Sequence, residues 1–196
     1  MSRFFNKKYA SLEAYTPGEQ PRDMVYIKLN TNESPYPPAP SVLDAVNRAE
    51  VEKLRLYSDP ECSVLREKLA ALYGVEKKNV YLANGSDDIL NFAFMAFCDG
   101  EHGAFFPEIS YGFYQVFADL HGIPSTRIPL CDDFSINHRD YCGRDGMIVI
   151  ANPNAPTGMS IPVWQIEEIV KTNPDALVLI DEAYVDFGGE TCLPLI

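Results

Sequence analysis

The chain has 196 residues, 46% of them hydrophobic and 22% charged, with a formal net charge of −12. This is the composition of an ordinary globular protein, long enough for one well-buried domain or an incomplete larger one. The acidic balance excludes nucleic acid as a partner, since phosphate binding needs concentrated Lys and Arg, and an anionic ligand would have to be held by local donors.

Residues 1–25 are polar, punctuated by Pro17, Gly18 and Pro21, and read as an arm. A short strand is expected over 26–29. It leads into NTNESPYPPAP (30–40), where four prolines exclude helix and sheet interior and leave a rigid extended loop. Arm and loop thus occupy 1–40, and the main domain is expected over 41–196. Ser41 is expected to cap a helix to about Lys53, with Val42, Ala45, Val46 and Ala49 on one face. The segment from Arg55 through Tyr57 to Pro60 breaks the pattern. A second helix starts near Ser63, carries Val64, Leu65, Leu69 and Leu72, and stops at Gly74. A strand is expected over 80–83.

Strands and helices then alternate. Asn84-Gly85-Ser86 is a tight turn into a helix to about Cys98, apolar nearly all round (Ile89, Leu90, Phe92, Phe94, Met95, Phe97) and so expected to be deeply buried. A strand over 103–106 precedes a helix from Ser110 to about His121, closed by Gly122. A short strand over 125–129, a polar stretch over 131–146 with room for a helical turn, and a strand over 147–151 follow. Next come a loop over 152–160, a helix over 162–171 with an early proline, and a strand over 177–180. This last run, Leu177-Val178-Leu179-Ile180, is apolar without alternation and reads as a strand covered on both faces. The alternation predicts an α/β fold, an α-β-α sandwich around a mostly parallel sheet with right-handed crossovers.

The candidate chemistry collects at strand ends. Asp181 and Glu182 end the last strand, where open α/β sheets hold their ligands. A carboxylate beside a dry core is costly unless something positive meets it. The strand also fits a Walker B pattern, but that reading needs G-x-x-x-x-G-K-[ST], and no Gly-Lys pair occurs. Gly85 and Ser86, before Asp87 and Asp88, open a helix whose first amides suit a phosphate; Ser86 as a plain N-cap is the simpler alternative, and the two acids oppose a phosphate unless they turn away. Asn152-Pro153-Asn154-Ala155-Pro156-Thr157-Gly158 is a stiff loop that could present an amide to a ligand, or merely connect strand to helix. Tyr111, at a helix start, could stack on a planar ring. His102, His121 and His138 lack the spacing of a triad or metal site and are expected at the surface. Five cysteines, odd in number and without C-x-x-C, suggest neither disulfides nor zinc. The opening MSRFFNKKYASLEAY has no signal-like apolar core, and no run approaches a membrane span; a reducing cytoplasm is the expected compartment.

Taken in order, IKLNTNESPYPPAP, LYSDPECSVLREKLAALYGV, ANGSDDIL, FPEISYGFY, ANPNAPTG and LVLIDEAYVDF resemble the fold-type I pyridoxal-phosphate-dependent aminotransferases, within them the histidinol-phosphate branch. The resemblance implies the large, cofactor-binding domain of that family, incomplete at its C-terminus, with the small domain absent. It implies transfer of an amino group between glutamate and a phosphorylated imidazole keto compound, imidazole acetol phosphate, in histidine biosynthesis. An aromatic aminotransferase, an amino-acid decarboxylase or a non-catalytic remnant acting as a binding module are the alternatives.

Carried over residue by residue, the resemblance pairs Asp181 with the pyridine nitrogen, makes Gly85, Ser86 and Asp87 the phosphate cup, stacks Tyr111 on the ring and sets Tyr184 on its 3-hydroxyl. Tyr57 resembles a tyrosine that reaches the cofactor phosphate of a neighbouring subunit, which implies a homodimer; Tyr15 and Asn32 would lie near the substrate. Two positions depart from the pattern. The loop asparagine that touches the 3-oxygen is Ala155 here, with Asn154 as the expected substitute. The Schiff-base lysine of the family lies beyond the DEAY strand in a Ser-Lys context, and none of Lys7, Lys8, Lys28, Lys53, Lys68, Lys77, Lys78 and Lys171 matches it; all eight are expected to be exposed. A sheet stopped partway would expose an edge, so self-association is expected.

Overall fold

The computed structural model describes residues 23–24, 26–27, 29–46 and 51–196. The chain divides into two compact units, Met1–Ser63 and Val64–Ile196. The first contains helix α1 (Pro40–Ala45) and a 3₁₀ turn, Lys53–Arg55. Helix α1 begins with Pro40 at its first position, so Ser41 lies inside it and is not its cap. The expected continuation of this helix falls partly on 47–50, outside the described residues.

The second unit is built on four parallel strands: β1 (Gly103–Pro107), β2 (Ser125–Ile128), β3 (Gly146–Ala151) and β4 (Val178–Asp181), in the order β2-β1-β3-β4. Its helices are α2 (Ser63–Tyr73), α3 (Gly85–Phe97), α4 (Phe113–His121) and α5 (Val163–Thr172). The centre of the sheet is β3, GMIVIA, buried at every position. Its alternation sends Met147, Val149 and Ala151 to one face, with Leu90, Phe94, Tyr114 and Phe117 of α3 and α4. Ile148 and Ile150 go to the other, with Ile166 and Ile169 of α5. These are the three layers of an α-β-α sandwich. Gly122 ends α4 at φ +68°, and its N–H is received by Asp119 O.

At Gly103, where β1 starts, a Cβ would collide with the carbonyl oxygen of Pro124. That carbonyl is held by the Ala104 N–H at 2.9 Å and cannot retreat. Gly103→Ala is therefore expected to destabilise the protein by about 2 kcal/mol through overpacking at the β1–β2 seam, read as a lower denaturant midpoint at unchanged m-value.

Several expectations are corrected. No strand forms at 26, 27 and 29 or over 80–83. Val80 is extended (φ −108°, ψ 119°), but among the described residues no strand pairs with 80–83, and extended backbone becomes a strand only with a ladder partner. Helix α3 is not buried all round: Leu90, Ala93 and Phe94 are covered, whereas Phe92, Met95 and Phe97 are exposed by 44–58%. The sheet and α4 cover only one of its sides. Helix α4 begins at Phe113, three residues after Ser110. Strand β4 is half-buried, because it is the edge of the sheet. His138 is buried rather than exposed, with Nε2 3.0 Å from Glu168 Oε2 and its ring edge-on to Trp164. His121 is half-buried, its Nε2 2.7 Å from Asn91 Oδ1. Lys77 is half-buried and paired with Glu67 at 2.8 Å. Lys7, Lys8 and Lys28 lie outside the described residues. Among those described, no helix is long and apolar enough to cross a membrane.

Candidate functional site

The carboxyl ends of β3 and β4, the start of α3 and the segment before α4 meet at a pocket of about 130 Å³ walled by Ser86, Tyr111, Pro153, Ala155, Asp181 and Tyr184. A larger groove of about 380 Å³ runs along α5 and β4, but its walls are mostly aliphatic (Ile166, Val170, Ile180, Leu195) without converging polar groups. The smaller pocket is the chemical one, at the end of a parallel sheet where the strands stop and loops begin.

Asp181 is the last residue of β4, in register with Ala151. Its Oδ2 accepts the Tyr114 hydroxyl at 2.9 Å, and its Oδ1 accepts the Ala183 N–H at 3.1 Å. Both partners are neutral donors, and no cation pairs with Asp181 among the described residues. Burial, reinforced by the negative charge of Asp181, holds the Tyr114 phenol far above its ordinary pKa, so it stays protonated. Glu182 points elsewhere: Oε2 accepts from Thr191 Oγ1 at 2.8 Å and Oε1 from the Cys192 N–H at 2.5 Å. Glu182, the first residue past β4, is drawn away by these bonds, so one acid serves the pocket and the other braces the chain after it. Burial first, and Glu182 second, push the Cys192 thiol up to about 12.

Gly85 has φ +82° and turns the chain into α3 with its N–H on Ala83 O at 3.0 Å. Asn84, not Ser86, is the N-cap residue. The opening amides of a helix have no acceptor within it and, with the helix dipole, attract an anion. The acids that oppose this are engaged: Asp88 Oδ2 accepts the Asn84 N–H at 3.3 Å, and Asp87 Oδ1 accepts the Tyr111 hydroxyl at 2.9 Å. Tyr111 lies two residues ahead of α4, stacked on Phe113 (5.5 Å, 16°) and edge-on to Tyr114 (5.7 Å, 80°). Its ring is thus fixed from three sides.

The proline loop is held by its own amides. Asn152 is buried; its Nδ2 donates to Ile161 O at 3.0 Å and its Oδ1 accepts the Ile161 N–H at 2.9 Å. Asn154 is also buried: Nδ2 donates to Ile109 O at 3.0 Å and Thr157 Oγ1 at 3.1 Å, and Oδ1 accepts from Ser110 Oγ at 2.7 Å. This corrects the expectation that Asn154 presents its amide to a ligand. Its side chain turns inward to join two loops, and Ala155 takes the wall.

The structure thus gathers Ser86, Tyr111, Asp181 and Tyr184 on one pocket, with Gly85 and Asp87 beside Ser86. Asn32 (φ +52°, exposed) and Tyr57 (fully exposed) belong to the first unit, and Tyr15 lies outside the described residues. Sequence reading assigned Tyr114 no role and Ser110 only that of a helix start, because their partners are remote in the chain. The one local hint was the spacing of Tyr111 and Tyr114, which the turn into α4 sets side by side, the Tyr114 N–H donating to Tyr111 O at 3.2 Å.

A family model described as aminotransferase class I and II matches residues 25–195. The histidinol-phosphate aminotransferase of Clostridium acetobutylicum is 46% identical over 196 residues, covering all of this chain and 56% of its own length. That of Marinomonas sp. is 50% identical over 197 residues, again covering all of this chain and 56% of the relative. The chain therefore spans a little over half the length of these relatives. Among solved structures, the histidinol-phosphate aminotransferase of Sinorhizobium meliloti in complex with pyridoxal-5'-phosphate superposes with a TM-score of 0.73 at 26% identity, covering 80% of this chain and 44% of that one. With the family match running from residue 25 to residue 195, the chain belongs to the aminotransferase class I and II family.

Proposed function

We propose that this chain is the cofactor-holding part of a transaminase that moves an amino group between glutamate and imidazole acetol phosphate, the reaction of a histidinol-phosphate aminotransferase in histidine biosynthesis. The cofactor is pyridoxal phosphate. When bound, it supplies a ring that acts as an electron sink for the carbanion at the amino-acid α-carbon.

The observation that carries the reading is the Asp181 carboxylate on the pocket wall, met among the described residues only by neutral donors. A cationic ring nitrogen is the partner it lacks, and the carboxylate in turn keeps that nitrogen protonated. In this reading the amides of Gly85, Ser86 and Asp87 hold the phosphate at the α3 start. Tyr111 offers the face of an immobilised ring, and Tyr184 bonds the 3-hydroxyl. Tyr57 reaches the phosphate site of a second copy, making a homodimer, while Tyr15 and Asn32 meet the substrate. No residue of the 196 matches the Ser-Lys context, so the proton-moving lysine is assigned to the part of the relatives' length that this chain does not span. A cytoplasmic location is supported by five free cysteines.

The test is a transamination assay on the purified full-length protein with added pyridoxal phosphate. Glutamate-dependent conversion of imidazole acetol phosphate to its amine is expected. Absence of cofactor uptake, carbon dioxide release instead of amine transfer, or turnover confined to aromatic keto acids would each overturn the assignment.

A further inference from the structure

Tyr114 is fully buried in the first turn of α4, packed against Phe106 (5.9 Å between rings) and edge-on to Tyr111. A phenylalanine would fill the same space among these aromatic neighbours. What the tyrosine adds is one hydroxyl, and its partner is the Asp181 carboxylate, 67 positions later in the chain. A buried phenol needs an acceptor, and a half-buried carboxylate gains most from a donor that cannot ionise away. The second oxygen of Asp181 is taken by the Ala183 N–H. The carboxylate is thus held at both oxygens, by a helix on one side and by its own following turn on the other. Rotation about its last bond would break both contacts.

We propose that Tyr114 is a positioning residue that fixes the plane of the Asp181 carboxylate for pairing with the cofactor ring nitrogen. This rests on the assignment of Asp181 made above. Tyr114 touches neither cofactor nor substrate and acts only through the carboxylate. Any interaction that depends on the ring nitrogen therefore loses strength when the hydroxyl is removed, whereas interactions at the phosphate and the ring face do not.

The test compares binding of pyridoxal phosphate with binding of its deaza analogue, in which carbon replaces the ring nitrogen, to the full-length apoprotein by equilibrium titration. Tyr114→Phe is expected to weaken pyridoxal phosphate by roughly tenfold, the scale of one charge-assisted hydrogen bond, and to leave the analogue within about twofold, far inside that scale. In an Asp181→Asn background the same change is expected to add nothing, since the coupling runs through the carboxylate. Equal weakening of both ligands by Tyr114→Phe would show a packing role and overturn the inference. If Asp181→Asn separates the two ligands and Tyr114→Phe does not, the inference fails while the assignment of Asp181 stands. If the unaltered protein binds both ligands equally, the assignment itself fails and the inference with it. Should Tyr114→Phe not fold, 3-fluorotyrosine at position 114 keeps the packing and makes the hydroxyl a stronger donor. The preference for pyridoxal phosphate over its analogue is then expected to rise, and an unchanged preference would overturn the proposal.

Discussion

Asp181→Asn is expected to lower transamination by the full-length protein by about two to three orders of magnitude, the range seen when a preorganised electrostatic partner of the reacting group is removed. The substitution conserves volume, so packing does not confound it. What changes is charge and hydrogen-bond direction. The carboxylate presents acceptors to both the Tyr114 hydroxyl and the Ala183 N–H, whereas an amide offers one acceptor and one donor. One of the two contacts must then face the wrong group. On the pairing proposed above, the larger loss is the negative charge, which would otherwise keep the ring nitrogen protonated and sustain the electron sink. The loss should lie in the amino-transfer half-reaction, measured as kcat/KM in single turnover, with pyridoxal phosphate binding weakened in parallel. Asp186→Asn, an exposed aspartate five residues on, is the control and should leave turnover within about twofold, as for a surface change that touches no partner. Equal effects at the two positions would mean that Asp181 acts only as part of the general acidic surface.

Asn152→Ala should cost about 3 kcal/mol of stability. Asn152 is buried, and its amide closes a two-bond ring with the N–H and C=O of Ile161, which is itself buried. Truncation leaves both backbone groups without partners, at about 1–3 kcal/mol each, and opens a cavity besides. The same two bonds fasten the start of the proline loop to its end, and Pro153 and Ala155 of that loop wall the pocket. Loss of cofactor affinity should therefore accompany the loss of stability, a pairing readable as a lowered denaturant midpoint and a weakened titration in one preparation. A stability loss below about 1 kcal/mol would indicate that water enters and replaces the amide.

Elements whose cause is local were legible in the chain. The apolar runs at 147–150 and 178–180, partly β-branched, lie in strands because such side chains fit a pleated surface packed on at least one face. Gly74 and Gly122 end helices at positive φ, as their lack of a Cβ allows. The Asn84-Gly85 turn and the proline loop lie where turn residues put them, and with Asp181 at a strand end they point to one side of a parallel sheet. Ser86 and Asp181, singled out on that basis, share the pocket with Tyr111, singled out as a helix-start aromatic, and Tyr184, singled out by the resemblance.

What periodicity cannot state is whether an apolar face is covered. Phe92, Met95 and Phe97 repeat as regularly as Leu90 and Phe94, yet only the second pair meets α4 and the sheet. Val80 and Tyr81 are strand-forming residue types, and Val80 has extended backbone, but a strand exists only where another edge offers donors and acceptors. The site divides in the same way. Composition and order along the chain determined that an acid stands at the end of β4 and that two prolines and a glycine stiffen the loop after β3. Only the tertiary structure decided that Asp181 and not Glu182 faces the pocket, that Ala155 and not Asn154 forms its wall, and that Tyr114 holds the acid. The reason is physical: a hydrogen bond is chosen by what folding brings within about 3 Å, and the decisive partners, Ser110 with Asn154 and Tyr114 with Asp181, stand 44 and 67 residues apart.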